Sequence, residues 1–148
     1  MRALLQRVTK ASVRVDGAEV ARIGAGLLIL LGVKAGEVAG ASERLAERCA
    51  ELRIFEDAEG KMNRSVREIA GEALVVPQFT LYADASRGRR PGFEPAARPE
   101  EAEPAFERFC EALASHGVPT QRGKFGASME VDLVNRGPAT FLLESPGG

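Results

Sequence analysis

Leu27-Leu28-Ile29-Leu30-Leu31, framed by Gly26 and Gly32, is apolar at every consecutive position. A strand with one wet face alternates, whereas a short unbroken apolar run reads as a strand covered on both faces. Residues 27–33 are therefore expected to form the most buried strand of a sheet. Residues 3–8, 12–15 and 20–23 are short apolar or alternating stretches separated by turn signals, and they read as three further strands. Asp16-Gly17 is a strong hairpin signal, because the tight two-residue turn wants positive φ at both central positions. Gly24 and Gly26 bracket another turn.

The period then changes. Ala41, Leu45, Cys49 and Leu52 fall at helical spacing, with Glu43, Arg44, Glu47, Arg48 and Glu51 on the other face, which predicts an amphipathic helix over residues 38–52. Residues 53–55 read as a short strand, closed by a turn at Glu59-Gly60. A second helix is expected over about residues 99–116, with Ala102, Phe106, Phe109, Cys110 and Leu113 inward. Pro104 leaves its start undefined, since proline is comfortable only in the first turn. Residues 129–134 alternate and 139–143 are mostly apolar, so the chain ends in strands. On the residues alone, Asn135-Arg136-Gly137-Pro138 between them is an ordinary turn. With no repeat or linker in 148 residues, the expectation is one α+β domain over residues 1–148. Its mixed sheet joins strands distant in sequence and curls toward a barrel, with two main amphipathic helices.

Hydrophobic residues make up 45% and charged residues 28% of the chain, an ordinary globular composition. The longest apolar run, residues 26–33, is far short of the roughly 20 residues of a membrane span. Residues 1–8 lack signal-peptide anatomy, so a cytoplasmic protein without a membrane partner is expected. Cys49 and Cys110 sit on the apolar sides of the helices and read as buried, reduced thiols. A catalytic cysteine would want a basic partner, and the only histidine, His116, stands at a helix end before Gly117. One histidine and two scattered cysteines have no metal-ligand spacing, so neither a metal nor another cofactor is expected. A net charge of −1 argues against a general nucleic-acid binder. The local exception is Arg87-Gly88-Arg89-Arg90-Pro91, which reads either as a solvated loop or as a phosphate contact.

One stretch does not fit a plain core strand. In "VPQFTLYAD", residues 76–84, strand-like flanks surround Pro77 and Gln78, followed by the hydroxyl of Thr80. This stretch, "NRGPAT" at 135–140, the opening "MRALLQRVTKASVRVDG", "RIFEDAEGKMNRS" and "GKFGASMEVDLVNRGPATF" occur together and in order. In that combination the chain resembles the D-aminoacyl-tRNA deacylase family over nearly its whole length.

The resemblance implies hydrolysis of the ester joining a D-amino acid to the 3′ end of tRNA, by a homodimer with two active sites at its interface. It places Pro77, Gln78, Phe79 and Thr80 in the pocket floor. Where the family normally has serine, this chain has Pro77, which offers neither a hydroxyl nor an N–H. Gly137-Pro138 matches a cis-proline dipeptide that enters the partner's pocket, receives the α-amino group with its carbonyls and leaves no room for an L side chain. Arg7 matches an arginine that braces the dipeptide, its plain alternative being a surface position on the first strand. Met129 and Phe125 fall at matched positions, as core or as pocket lining, and Phe125 as a platform for the terminal adenine. Gln78 and the amides of Phe79 and Thr80 would face the ester as an oxyanion hole. Water is the nucleophile expected, assisted by the tRNA's own 2′-hydroxyl. Two other classes stay open: an esterase with Thr80 as covalent nucleophile, and a non-catalytic module that binds RNA ends.

Overall fold

A computed structural model describes residues 1–148. In chain order the elements are β1 (Arg2–Val15), β2 (Ala18–Ile23), β3 (Gly26–Gly32), α1 (Ala41–Glu51), β4 (Phe55–Glu56) and β5 (Met62–Arg64). Then come β6 (Glu72–Pro77), a 3-10 turn (Phe79–Tyr82), α2 (Pro99–Ser115), β7 (Thr120–Arg122) and β8 (Glu130–Glu144). The main sheet runs β2-β1-β3-β6-β7, and β8 pairs with the other edge of β1. β6 lies parallel to both β3 and β7, while β1 is antiparallel to β2, β3 and β8. The result is the barrel-like mixed sheet with two helices that the sequence leads one to expect.

The apolar run is buried on both faces for a physical reason visible in its neighbours. Leu27, Ile29 and Leu31 of β3, with Ala73 and Val75 of β6, join a large core against α1 and α2. Leu28 of β3 and Leu74 and Val76 of β6 join a second core inside the curl with Val8, Val13 and Ile23. Alternate side chains thus serve opposite cores, as a strand's period of two requires. The Asp16-Gly17 hairpin forms with φ values of 51° and 78°. Cys49 and Cys110 are buried and unbridged, and burial pushes both thiols up to about 12.

Several boundaries differ from expectation. Residues 3–8 and 12–15 belong to one 14-residue strand, because the exposed Thr9 and Lys10 stay extended while β1 exchanges β3 for β2 as its neighbour. α1 starts at Ala41 and not near Val38, since Gly40 takes a left-handed φ of 82°. α2 begins at Pro99 and continues through Pro104, whose missing N–H falls on the solvent side of the helix. Glu100 and Glu101 complement its N-terminus, and Gly117 at φ 83° follows its end. The right flank of "VPQFTLYAD" is not strand: β6 ends at Pro77 and the next residues wind into the 3-10 turn.

The largest correction concerns residues 135–138, which do not turn the chain. β8 runs through them as one strand, antiparallel to β1 throughout. Gln6 pairs with Thr140 and Val8 with Asn135, so Arg7 alone faces the four residues 136–139. The excess is extruded from the ladder as a bulge carrying Gly137-Pro138, whose peptide bond is cis.

Candidate active site

A cavity of about 830 Å³ opens beside the carboxyl ends of the parallel strands β3 and β6, within the range of ordinary ligand pockets. Leu31, Val33, Val76 and Pro77 form its floor, Ala102 and Phe106 of α2 one wall, and Phe125, Met129 and Val131 another. Gln78, Phe79, Phe93 and Arg98 also line it. The site is mostly apolar, with a few polar groups at the rim.

Pro77 occupies the last position of β6, opposite Leu31, where the ladder is ending and a missing N–H costs little. Gln78 carries the ladder one step further through its N–H to the Leu31 carbonyl at 2.8 Å. The chain then tightens, with the Leu81 N–H reaching the Gln78 carbonyl at 3.2 Å. Phe79 and Thr80 are the first residues of this short helix, so their N–H groups have no carbonyl within it to bond. Gly32 permits the arrangement. A β-carbon there would lie 2.9 Å from Leu81 Cβ and 3.0 Å from the Gln78 carbonyl oxygen.

Thr80 is exposed and does not line the cavity; its hydroxyl accepts a 2.5 Å hydrogen bond from Gln78 Nε2. No imidazole or carboxylate bonds to that hydroxyl. His116 stands at the far end of α2, where its carbonyl accepts from Arg67. No three His, Cys, Asp or Glu side chains come together as a metal site.

Phe125 and Met129 fall between the alternatives set out for them. Both are half-buried and both line the cavity, Phe125 also packing on Phe106 with centroids 6.0 Å apart. Phe93 and Arg98 were not anticipated from sequence. Only an isolated aromatic in a Pro/Gly-rich loop, and an arginine just before the proline that opens a helix, mark them there.

Arg7, Gly137 and Pro138 are not brought to this cavity. Arg7 is not a surface residue: it is 5% exposed and spans two backbone carbonyls, Nε donating to Arg136 O at 2.8 Å and Nη1 to Ile54 O at 2.7 Å. Glu56 lies 3.9 Å from the guanidinium groups of both Arg7 and Arg136. Asn135 ties the other side of the bulge, its Nδ2 donating to Gln6 Oε1 and the Arg7 carbonyl at 3.0 Å each. Gly137 and Pro138 stand exposed between these braces.

The chain is similar in sequence and fold to known proteins. Curated D-aminoacyl-tRNA deacylases are similar over nearly the whole chain. That of Roseiflexus castenholzii is 57% identical, covering 98% of this chain and 92% of its own. That of Thermomicrobium roseum is 56% identical, covering 98% and 94%. The solved structure of the c-Myc DNA Unwinding Element Binding Protein superposes with a TM-score of 0.91 at 39% identity, covering 99% of both chains. A probable eukaryotic D-amino acid tRNA deacylase shares the fold, with a TM-score of 0.79 at 20% identity over 96% and 97% of the two chains. The sequence profile of D-Tyr-tRNA(Tyr) deacylase matches residues 4–144, so that this barrel-like domain, with its apolar cavity under a Pro-Gln-Phe-Thr turn, belongs to that family.

Proposed function

We propose that the protein is an ester hydrolase that releases a D-amino acid from the 3′ end of tRNA. The observation that carries this is the turn at the cavity rim, where the Phe79 and Thr80 amides have no partner within the turn and Gln78 and Phe79 line an apolar pocket. Such donors stabilise the oxyanion of a tetrahedral intermediate. Relatives at 53–57% identity that carry the name D-aminoacyl-tRNA deacylase support the substrate class.

Water is the nucleophile in this reading, because the Thr80 hydroxyl is engaged by Gln78 and has no base beside it. The 2′-hydroxyl of the terminal ribose assists, and the protein supplies position. Two copies of the chain form the working unit. The outer edge of β8 has no neighbouring strand, and Leu133, Val134 and Leu142 on it are 38%, 45% and 51% exposed. A long uncovered edge of this kind invites another chain. Each copy lends its Gly137-Pro138 bulge to the partner's cavity, where fixed main chain rejects an L side chain.

The test is turnover of D-tyrosyl-tRNA and L-tyrosyl-tRNA fed separately, read as free tyrosine. The D ester is expected to be cleaved on the order of a hundredfold faster. Equal rates would remove the chiral reading, and no cleavage of the D ester by folded protein would leave only an RNA-end-binding module. Thr80→Ala is expected to keep activity within about tenfold, the worth of one neutral hydrogen bond. An inert variant, together with an acyl-enzyme trapped on wild-type Thr80 and seen by mass spectrometry, would establish the covalent esterase instead.

A further inference from the structure

We propose that the loop bearing Arg87, Arg89 and Arg90 is a phosphate clamp for the strand that leads into the cavity. On this assignment the loop holds the phosphodiesters just upstream of the terminal nucleoside. The inference rests on the reading of the cavity as the seat of a tRNA 3′ end.

The distribution of unpaired arginines is the first reason. Ten arginines donate to a carbonyl, amide or carboxylate of the chain, namely Arg2, Arg7, Arg14, Arg22, Arg44, Arg48, Arg53, Arg64, Arg67 and Arg122, and Arg136 is ion-paired with Glu56. That leaves Arg87, Arg89, Arg90, Arg98 and Arg108 without a partner. Four of those five lie in the short segment between the 3-10 turn and α2. One of the four, Arg98, lines the cavity. In a chain of net charge −1 this is a local concentration of free guanidinium groups, the group best suited to phosphate oxygens.

The loop is also tied at its root. Asp84 and Gly92 exchange two backbone hydrogen bonds, of 2.7 and 2.8 Å. The Asp84 carboxylate accepts from the hydroxyl and N–H of Ser86, which hold its pKa below the usual carboxylate value. Gly88 supplies the positive φ of 61° at the tip. The acidic neighbours are therefore Asp84, already occupied within the loop, and Glu94, which lines the cavity.

Between the loop and the cavity stands an aromatic step. Phe93, one residue beyond the root, meets Phe79 edge to face with centroids 5.2 Å apart. Both rings line the cavity, yet they remain 42% and 58% exposed. Exposed rings beside free arginines match the general design of single-strand binding surfaces, in which bases stack and phosphates meet cations. An RNA 3′ end inserted in the cavity would cross this step and carry its next phosphates over the loop.

The experiment compares wild type, the triple variant Arg87→Gln/Arg89→Gln/Arg90→Gln, and Arg108→Gln, which removes an unpaired arginine elsewhere. Binding of uncharged tRNA is followed by fluorescence anisotropy over a sodium chloride series, with thermal melts verifying folding. Each phosphate contact to a single strand contributes about 0.7 to the slope of log K against log salt. The triple variant is thus expected to flatten the slope by about 2 and to weaken low-salt binding at least about tenfold. Arg108→Gln should keep the wild-type slope. With D-tyrosyl-tRNA the triple variant should raise KM while kcat at saturation changes little. An unchanged slope and Kd in the triple variant, or an equal loss in Arg108→Gln, would overturn the clamp. Uncharged tRNA has no aminoacyl ester, so the binding result judges the loop even if wild type failed to hydrolyse D-tyrosyl-tRNA, which would sink the enzymatic reading alone.

Discussion

Gly32→Ala is expected to lower kcat on D-tyrosyl-tRNA by about a hundredfold or more while leaving a folded protein. Gly32 closes β3 under the 3-10 turn, and its missing side chain is the space into which that turn packs. A methyl group there meets Leu81 Cβ at 2.9 Å, the Gln78 carbonyl oxygen at 3.0 Å and the Tyr82 ring at 3.2 Å. The first two are backbone or bonded directly to it, so the turn itself must move. Tyr82 cannot yield easily, being buried with the Arg2 guanidinium 4.6 Å from its ring centroid. Overpacking of this kind costs about 1–3 kcal/mol of stability, which a domain of this size survives. Catalysis is less tolerant, because displacing one oxyanion donor costs about 10²–10³ in kcat. Stopped-flow or quench measurements beside a urea titration separate the two effects. Wild-type kcat in a folded Gly32→Ala protein would show that the Phe79 and Thr80 amides are not the groups that act.

Arg7→Met is expected to cost about 3–5 kcal/mol of stability and at least about tenfold in the preference for D over L esters. The guanidinium is buried and joins three separate pieces of chain: its own strand β1, the Ile54 carbonyl before β4, and the Arg136 carbonyl at the base of the bulge. Methionine fills the volume but leaves both carbonyls without their donor, that of Ile54 in a buried place and that of Arg136 in a partly buried one. The Glu56 contact adds little, since that carboxylate is 43% exposed and 3.9 Å away. Arg7→Lys should recover only part of the loss, because a single ammonium cannot match the fork that reaches both carbonyls. Denaturant midpoints give the first quantity, and paired hydrolysis assays the second. Stability within about 1 kcal/mol of wild type, with chirality still read normally, would show that the bulge stands without this brace.

Much of the site was legible as composition and local pattern, but its assembly was not. Pro77 and Gln78 stand out because they interrupt a strand-like stretch, and both line the cavity; Phe79, which the resemblance adds, lines it too, and Thr80 does not. The strand-like right flank of "VPQFTLYAD" is not strand because β-favouring side chains say little once the ladder has ended; there the chain follows the space beside Gly32. Asn135-Arg136-Gly137-Pro138 has the composition of a turn, and only its partner strand shows otherwise. β5 went unseen for a similar reason, since all three of its residues are exposed and only pairing with β4 makes it a strand.

By itself the amino-acid order determined what depends on neighbours a few residues away. The doubly buried β3 follows from five successive apolar side chains, the first hairpin from Asp16-Gly17, and both helix faces from a period of 3.6. Tertiary structure alone decided the match of one residue of β1 to four of β8, and the exposure of Gly137-Pro138 between Arg7 and Asn135. Register between strands separated by more than a hundred residues depends on which side chains and carbonyls satisfy one another across the sheet, and no local window contains both partners.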